Sequence, residues 1–267
     1  MTANTTTGIA MRIPKFTCIL FAATMIAVGI LGLISGDFPP IWGGVPAGMP
    51  GRLALVYLCA FVSLACGVGL LWKRTAIAAC RTLLIYLAAW LLLFRMPYIV
   101  TAPSATDTWW GCGDTAVMVA AASVLYVWLA GDRSGQCLRF VTATNGLRIA
   151  RVLFGLGLIP FGIAHFTYLA RTVSLVPGWL PWHLAWAYFF GCTFIAAGVA
   201  VIMGVYARLA ATLVALQLGL FTVLVWVPVV VAGPDASQWG EFVSSWVLTV
   251  AAVVDAAFGF RSGLIPA

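Results

Sequence analysis

Charge is what this chain has least of. Only 21 of its 267 residues are Asp, Glu, Lys or Arg, while 63% are hydrophobic and the mean hydropathy is +1.08. A soluble domain is about a quarter charged, so these residues cannot build a water-exposed surface. Most of the surface must face lipid. The net charge of +7 then reads as membrane orientation, not as nucleic-acid binding. Histidine is scarce too: His165 and His183 are the only two, and two histidines alone leave a metal site incomplete, so no metal is expected. HExxH, CxxC and a strand-borne GxGxxG are absent, which removes the zincin, thioredoxin-like and dinucleotide classes. Gly155, Gly157 and Gly162 flank Pro160 inside an apolar run, where they let helices approach closely or bend. Seven cysteines lie mostly in apolar runs. They form no disulfide framework and read as small packing residues.

Long apolar runs are abundant. Eight are near the ~20 residues that a bilayer core requires, at roughly 16–36, 51–72, 76–100, 112–131, 149–168, 182–204, 207–232 and 241–260. The first follows Arg12 and Lys15. It is longer than a signal-peptide core and lacks a clear small-x-small cleavage site, so it reads as a retained helix. The expected fold is all-α and polytopic, with eight transmembrane helices.

The basic residues sort by side. With the N-terminus inside, Arg12, Lys15, Lys73, Arg74, Arg81, Arg133, Arg139, Arg148, Arg151, Arg208 and Arg261 share one face. Only Arg52 and Arg171 fall on the other, and Arg95 lies within the third run. Asp37, Asp107, Asp114, Asp235 and Glu241 gather at that other face with Trp42, Trp109, Trp110, Trp179, Trp182, Trp186 and Trp239. This is the positive-inside pattern with an interfacial aromatic belt. It predicts a multi-pass protein of the cell inner membrane with both termini cytoplasmic.

The chain also resembles itself. Residues 131–135 read GDRSG and residues 259–263 read GFRSG. At an offset of 131, Val45-Pro46 meets Val176-Pro177, Pro50 meets Pro181, Tyr57 meets Tyr188, Gly67-Val68 meets Gly198-Val199, and Pro97 and Pro103 meet Pro228 and Pro234. A short deletion then aligns Trp110-Gly111 with Trp239-Gly240. Proline and glycine are the least interchangeable residues of membrane helices, so the chain reads as a duplication. Residues 1–135 form a first four-helix repeat and residues 136–267 a second. An even span number makes the repeats parallel, unlike the inverted repeats of many transporters.

Ionisable groups inside apolar spans are functional candidates. Arg95 near the outer end of the third run is expected to pair with Asp114. Asp255 is expected to reach the inner surface, towards Arg81, and Gln217 lies within the seventh run. The strongest constellation is in the second repeat. His165 and His183 end and begin consecutive antiparallel spans, so one outer loop brings them to similar depth. Tyr168, Arg171, Trp182 and Trp186 surround them in sequence. Together they read as a ligand-binding set for a flat, partly polar molecule such as a quinone. The competing reading is polar residues that mark helix ends at the interface. The first repeat lacks equivalents, since Arg52 stands in the place of His183. It reads as scaffold.

Residues 148–230 resemble the DoxX-like family of four-helix membrane proteins. The resemblance rests on Arg148 and Arg151, Gly162 with His165, Gly198, and Arg208-Leu209-Ala210-Ala211. It implies a four-helix bundle per repeat and a link to membrane redox chemistry. The expected function is an accessory or quinone-like-ligand-binding subunit of a membrane redox system, with the lipid bilayer and other redox subunits as partners. A non-enzymatic assembly factor and a small-solute permease are the other readings. The permease is disfavoured by the parallel repeat and by the lack of facing charges at mid-membrane.

Overall fold

The structure is a computed structural model describing residues 3–130, 144–233 and 235–259. Among them there is no strand, and eight helical stretches are long and apolar enough to cross a membrane. The chain is an all-α polytopic membrane protein. Its helices are α1 (Ala3–Ser35), α2 (Arg52–Leu70), α3 (Ala76–Trp90), α4 (Met96–Thr101), α5 (Thr106–Ala130), α6 (Thr144–Thr167), α7 (Leu169–Leu175), α8 (His183–Met203), α9 (Ala207–Phe221), α10 (Val227–Val231) and α11 (Ala236–Val254). A π turn at Leu91–Arg95 joins α3 to α4, and another at Thr222–Trp226 joins α9 to α10. Each precedes a proline, Pro97 or Pro228, that cannot donate to the preceding turn. The wider turn absorbs the break without ending the span. A third π turn, Asp255–Gly259, follows α11.

Element bounds repeat at the offset of 131. α2 starts at Arg52 and α8 at His183, α3 covers Ala76–Trp90 and α9 covers Ala207–Phe221, and the first two π turns coincide. Residues 131–135, and all of GFRSG but Gly259, lie outside the described residues.

The packing does not make two separate bundles. Consecutive spans pack in order: α1 on α2, α2 on α3, α3 on α5, then α6 on α8, α8 on α9, and α9 on α11. The halves join because α5 packs on α6, α11 packs on α1, and α5 meets α11 across the middle. Two five-helix rings thus share α5 and α11 as a common wall. The sequence explains why α5 is central. Its residues 115–126, TAVMVAAASVLY, are buried without a break. A helix apolar on every face belongs inside. At the α11–α1 contact, the Trp246 indole N–H donates to Thr24 Oγ1 at 3.1 Å.

Glycine sets the closeness of these contacts. A Cβ on Gly113 of α5 would lie 2.6 Å from the Gly157 carbonyl of α6, and one on Gly157 would lie 2.9 Å from the Gly113 carbonyl. Between α6 and α8, Gly155 and Gly198 stand in the same mutual relation. Such approach replaces hydrophobic driving force with backbone-level van der Waals contact, which is what lipid-embedded helices have available.

Arg52 and Arg171, the two cations at the acidic end, are both neutralised: Arg52 Nη2 lies 2.6 Å from Asp37 and Arg171 Nη2 lies 2.9 Å from Glu241. Asp255 differs from expectation. It is 0% exposed and neither carboxyl oxygen has a partner. The π turn that carries it rotates it into the core, not towards Arg81 at the surface. Among the described cysteines only Cys192 is exposed, on α8, and Cys112 is buried.

Valine at Gly157 should therefore force the α5–α6 backbones apart and cost roughly 1–3 kcal/mol, the usual penalty of overpacking. The melting temperature of the purified protein reads this. Valine at Gly178, where a Cβ meets nothing within 4 Å, should leave it unchanged. Equal losses at both positions would refute the close contact.

Candidate functional site

A cavity of about 360 Å³ opens in the second half, near the acidic end. Its walls come from α6, α7, α8, the α9–α10 bend and α11, with Trp110 of α5 closing one side. The lining is mostly apolar and aromatic. Trp186, Phe190 and Phe194 recur every fourth residue along α8, a spacing that stacks them on one helix face. Phe221 meets Phe190 edge-on at 4.7 Å. An apolar chamber with few convergent polar groups is the general form of a small-ligand site.

The polar groups are His165, Tyr168, Arg171, Glu241 and the hydroxyls of Thr172, Ser244 and Ser245. His165 stands one turn after Phe161 on α6, and its Nδ1 lies 2.7 Å from the Phe161 carbonyl. A carbonyl only accepts, so Nδ1 carries the hydrogen. In the neutral ring Nε2 is then an acceptor, and it has no partner among the described residues. The ring is clamped by Phe221, stacked at 6.1 Å and 25°, and by Phe194 at 5.4 Å. Arg171 and Glu241 form an ion pair in the cavity wall between α7 and α11. Tyr168 leads into α7 and sits against Asp107 of α5. Its interaction with that carboxylate holds its pKa above the usual tyrosine value. Behind the lining residue Ser245, the Thr222 hydroxyl meets Ser245 at 2.8 Å and Thr249 at 3.2 Å, spanning the π turn and α11.

Four of the six expected ligand-binding residues line this cavity: His165, Tyr168, Arg171 and Trp186. Trp182 and His183 do not. Trp182 caps α8 in the left-handed region (φ 56°) and is 80% exposed. The wall on α8 begins at Trp186, and beyond it Val176, Pro177, Trp179 and Leu180 take over, leaving His183 outside. The two histidines therefore do not share a pocket. Sequence reasoning missed Glu241, Trp110 and the aromatic stripe of α8. The four-residue spacing of the stripe was visible, and so was the need of Arg171 for an acid.

The same place in the first half is filled. A 3-10 turn, Pro40–Trp42, drives Ile41 and Trp42 into the core. Trp42 is 0% exposed, and its indole N–H donates to Ser63 Oγ at 2.9 Å. It meets Tyr86 and Trp90 edge-on at 5.2 and 5.3 Å. Trp90 in turn donates to the Gly43 carbonyl. Arg95 braces this plug: Nη2 donates to the Pro40 carbonyl at 3.0 Å and Nε to Thr115 Oγ1 at 3.3 Å. A Cβ on Gly111 would collide with the guanidinium. The expected ion pair with Asp114 is not formed, because no Arg95 nitrogen comes within 4.0 Å of that carboxylate. The neighbouring carbonyl and hydroxyl satisfy Arg95 first, and one Asp114 oxygen is buried without a partner. Gln217 also stays inside, accepting from Thr193 at 2.8 Å.

Among the described residues no three of His, Cys, Asp and Glu converge closely enough to hold a metal ion. The class defined here is an α-helical membrane protein with an open aromatic chamber in its second half. No family model matches the chain, and neither do any curated proteins or solved structures.

Replacing Arg95 with Leu should orphan the Pro40 carbonyl and loosen the plug, at about 1.5–3 kcal/mol for hydrogen bonds to a charged group. The exchange Arg95→Asp with Asp114→Arg should not restore the melting temperature, since the Arg95 partners are fixed acceptors. Restoration would mean an ion pair carries the stability.

At the Arg52–Asp37 pair, the Phe38 N–H and the Arg52 guanidinium hold the Asp37 carboxyl below its usual range. A depressed carboxylate stabilises above its unfolded pKa of about 3.9 and loses that stabilisation as pH falls through the folded value. The pair is exposed, so Asp37→Asn should cost only ~0.2–1 kcal/mol at neutral pH. Wild type and variant should converge as the pH drops below about 4. A gap that persists there would place the effect outside the ion pair.

Proposed function

We propose that this protein is an accessory, small-ligand-binding subunit of a membrane redox system, holding a quinone-like molecule in the cavity of its second half. The observation that carries the reading is the aromatic chamber with His165 held in one tautomer and its Nε2 free. A flat, largely apolar head fits such a lining, and in the hydroquinone form one of its O–H groups can donate to this nitrogen. The DoxX-like resemblance of residues 148–230, resting on Arg148, Arg151, Gly162, His165, Gly198 and residues 208–211, adds the link to redox partners. Resemblance of fold does not by itself assign chemistry, so the argument rests on the site.

The chain is further read as two parallel repeats, residues 1–135 and 136–267, supported by the element bounds that recur at an offset of 131. It lies in the cell inner membrane with both termini cytoplasmic. The support is the excess of basic residues at one face, strengthened because the two cations at the opposite face are both ion-paired.

Two measurements test this. Titrating the purified protein in nanodiscs with a short-chain quinone should quench the fluorescence of Trp110, Trp179, Trp186 and Trp226, which line the cavity, to saturation. Ala187→Phe fills the chamber and should abolish the saturable quench, while Trp182→Ala, outside the chamber, should retain it. An unsaturable quench in wild type would refute the ligand reading. Reporter fusions after Arg133 and after Arg261 should both report cytoplasm, and a signal from the other side at either would refute the topology.

A further inference from the structure

The filled pocket of the first half bears on what the open one accepts. At the offset of 131, Ser63, Tyr86 and Trp90, the residues that touch the Trp42 indole, correspond to Phe194, Gln217 and Phe221. Phe194 and Phe221 line the cavity, unlike Gln217. The counterpart of Trp42 itself is Val173, which does not line it either. It sits in α7, a regular helix where the first half has a 3-10 turn, and Thr172 and Leu175 of that helix face the cavity while Val173 does not. The second half keeps aromatic side chains at two of these positions, Phe194 and Phe221, and omits the indole. Phe221 is smaller than Trp90, while Phe194 is larger than Ser63.

The polar atoms narrow the choice further. Trp42 enters its pocket as a hydrogen-bond donor, to Ser63. In the second half the free ring atom is His165 Nε2, which is an acceptor because Nδ1–H is committed to the Phe161 carbonyl. Arg171, the charged donor of the lining, is engaged by Glu241. The Thr172 hydroxyl is engaged with the Tyr168 carbonyl. A ligand group seated against Nε2 must therefore donate. A phenolic or hydroquinone O–H does so, and a quinone carbonyl does not.

Deepening the quinone-like reading above, on which it rests, we propose that the cavity takes a planar bicyclic aromatic alcohol of naphthol or naphthohydroquinone type. Its fused ring lies where the first half seats Trp42, and its O–H donates to His165 Nε2. The site thus prefers the hydroxyl form of its ligand over the carbonyl form.

Isothermal titration of the full-length protein in detergent, with 2-naphthol, naphthalene, phenol and 1,4-naphthoquinone as probes, tests this. The expected order places 2-naphthol first, tighter than naphthalene by about 5–10-fold for one retained hydrogen bond, with 1,4-naphthoquinone and the one-ring phenol weaker than 2-naphthol. His165→Phe should erase the margin of 2-naphthol over naphthalene and still bind both. The wild-type ranking stands as a test even if that variant fails to fold. If 1,4-naphthoquinone binds as tightly as 2-naphthol or more so, the donor preference is overturned while the ligand reading survives. Phenol matching 2-naphthol would overturn the bicyclic assignment alone. If no aromatic probe binds wild type, both readings fall.

Discussion

Everything in this fold hangs on how closely α5 can be enclosed. Its glycine contact with α6 brings two backbones to within the reach of a single missing Cβ, and its alanine-rich middle has no face left for lipid. Lipid tails are as apolar as leucine, so helices gain little by hiding apolar surface from them. Close packing and satisfied polar groups must hold the spans together. The α5–α11 wall supplies both, with small residues on one helix and hydroxyls and Trp246 on the other. Because both rings lean on this wall, neither half is closed by its own four spans.

The two rings differ in how they fill the space near the acidic end. In the first, a short turn carries Trp42 inward, and Arg95 satisfies the carbonyl that the turn exposes. A guanidinium at this depth is affordable only with such acceptors around it. In the second, the matching segment remains helical and the matching position for Arg95 is Trp226. The chamber stays open, and its charged pair is closed within the wall, Arg171 to Glu241. His165 Nε2 is an acceptor left without a partner among the described residues, and the functional reading converges on it.

Much of the fold was legible in sequence because hydrocarbon thickness and backbone satisfaction leave few options. All eight spans follow from length and hydropathy. The ring exchange at α5 and α11 was not legible, since hydropathy records burial in apolar surroundings without saying whether lipid or helix supplies them. For the site, His165, Tyr168, Arg171 and Trp186 could be named because they cluster in sequence near one loop. His183 and Trp182 satisfy the same criterion, yet the left-handed turn at Trp182 and the covering segment 176–180 exclude them. Glu241 reaches the cavity from 70 residues beyond Arg171, a distance that sequence proximity does not register. The Arg95–Asp114 pairing failed for a related reason, because complementary charge is visible in sequence and a nearby carbonyl is not.

The central claim is that one half holds an open aromatic chamber at the place where the other half is plugged by its own tryptophan. A density map of the protein purified from membranes into nanodiscs, without added ligand, tests it most directly. The account predicts side-chain density for Trp42 filling the first ring, and a chamber in the second ring bounded by His165, Phe194 and Phe221 that holds non-protein density or none. A second ring packed solid by its own side chains, or Trp42 found outside the first, would contradict it.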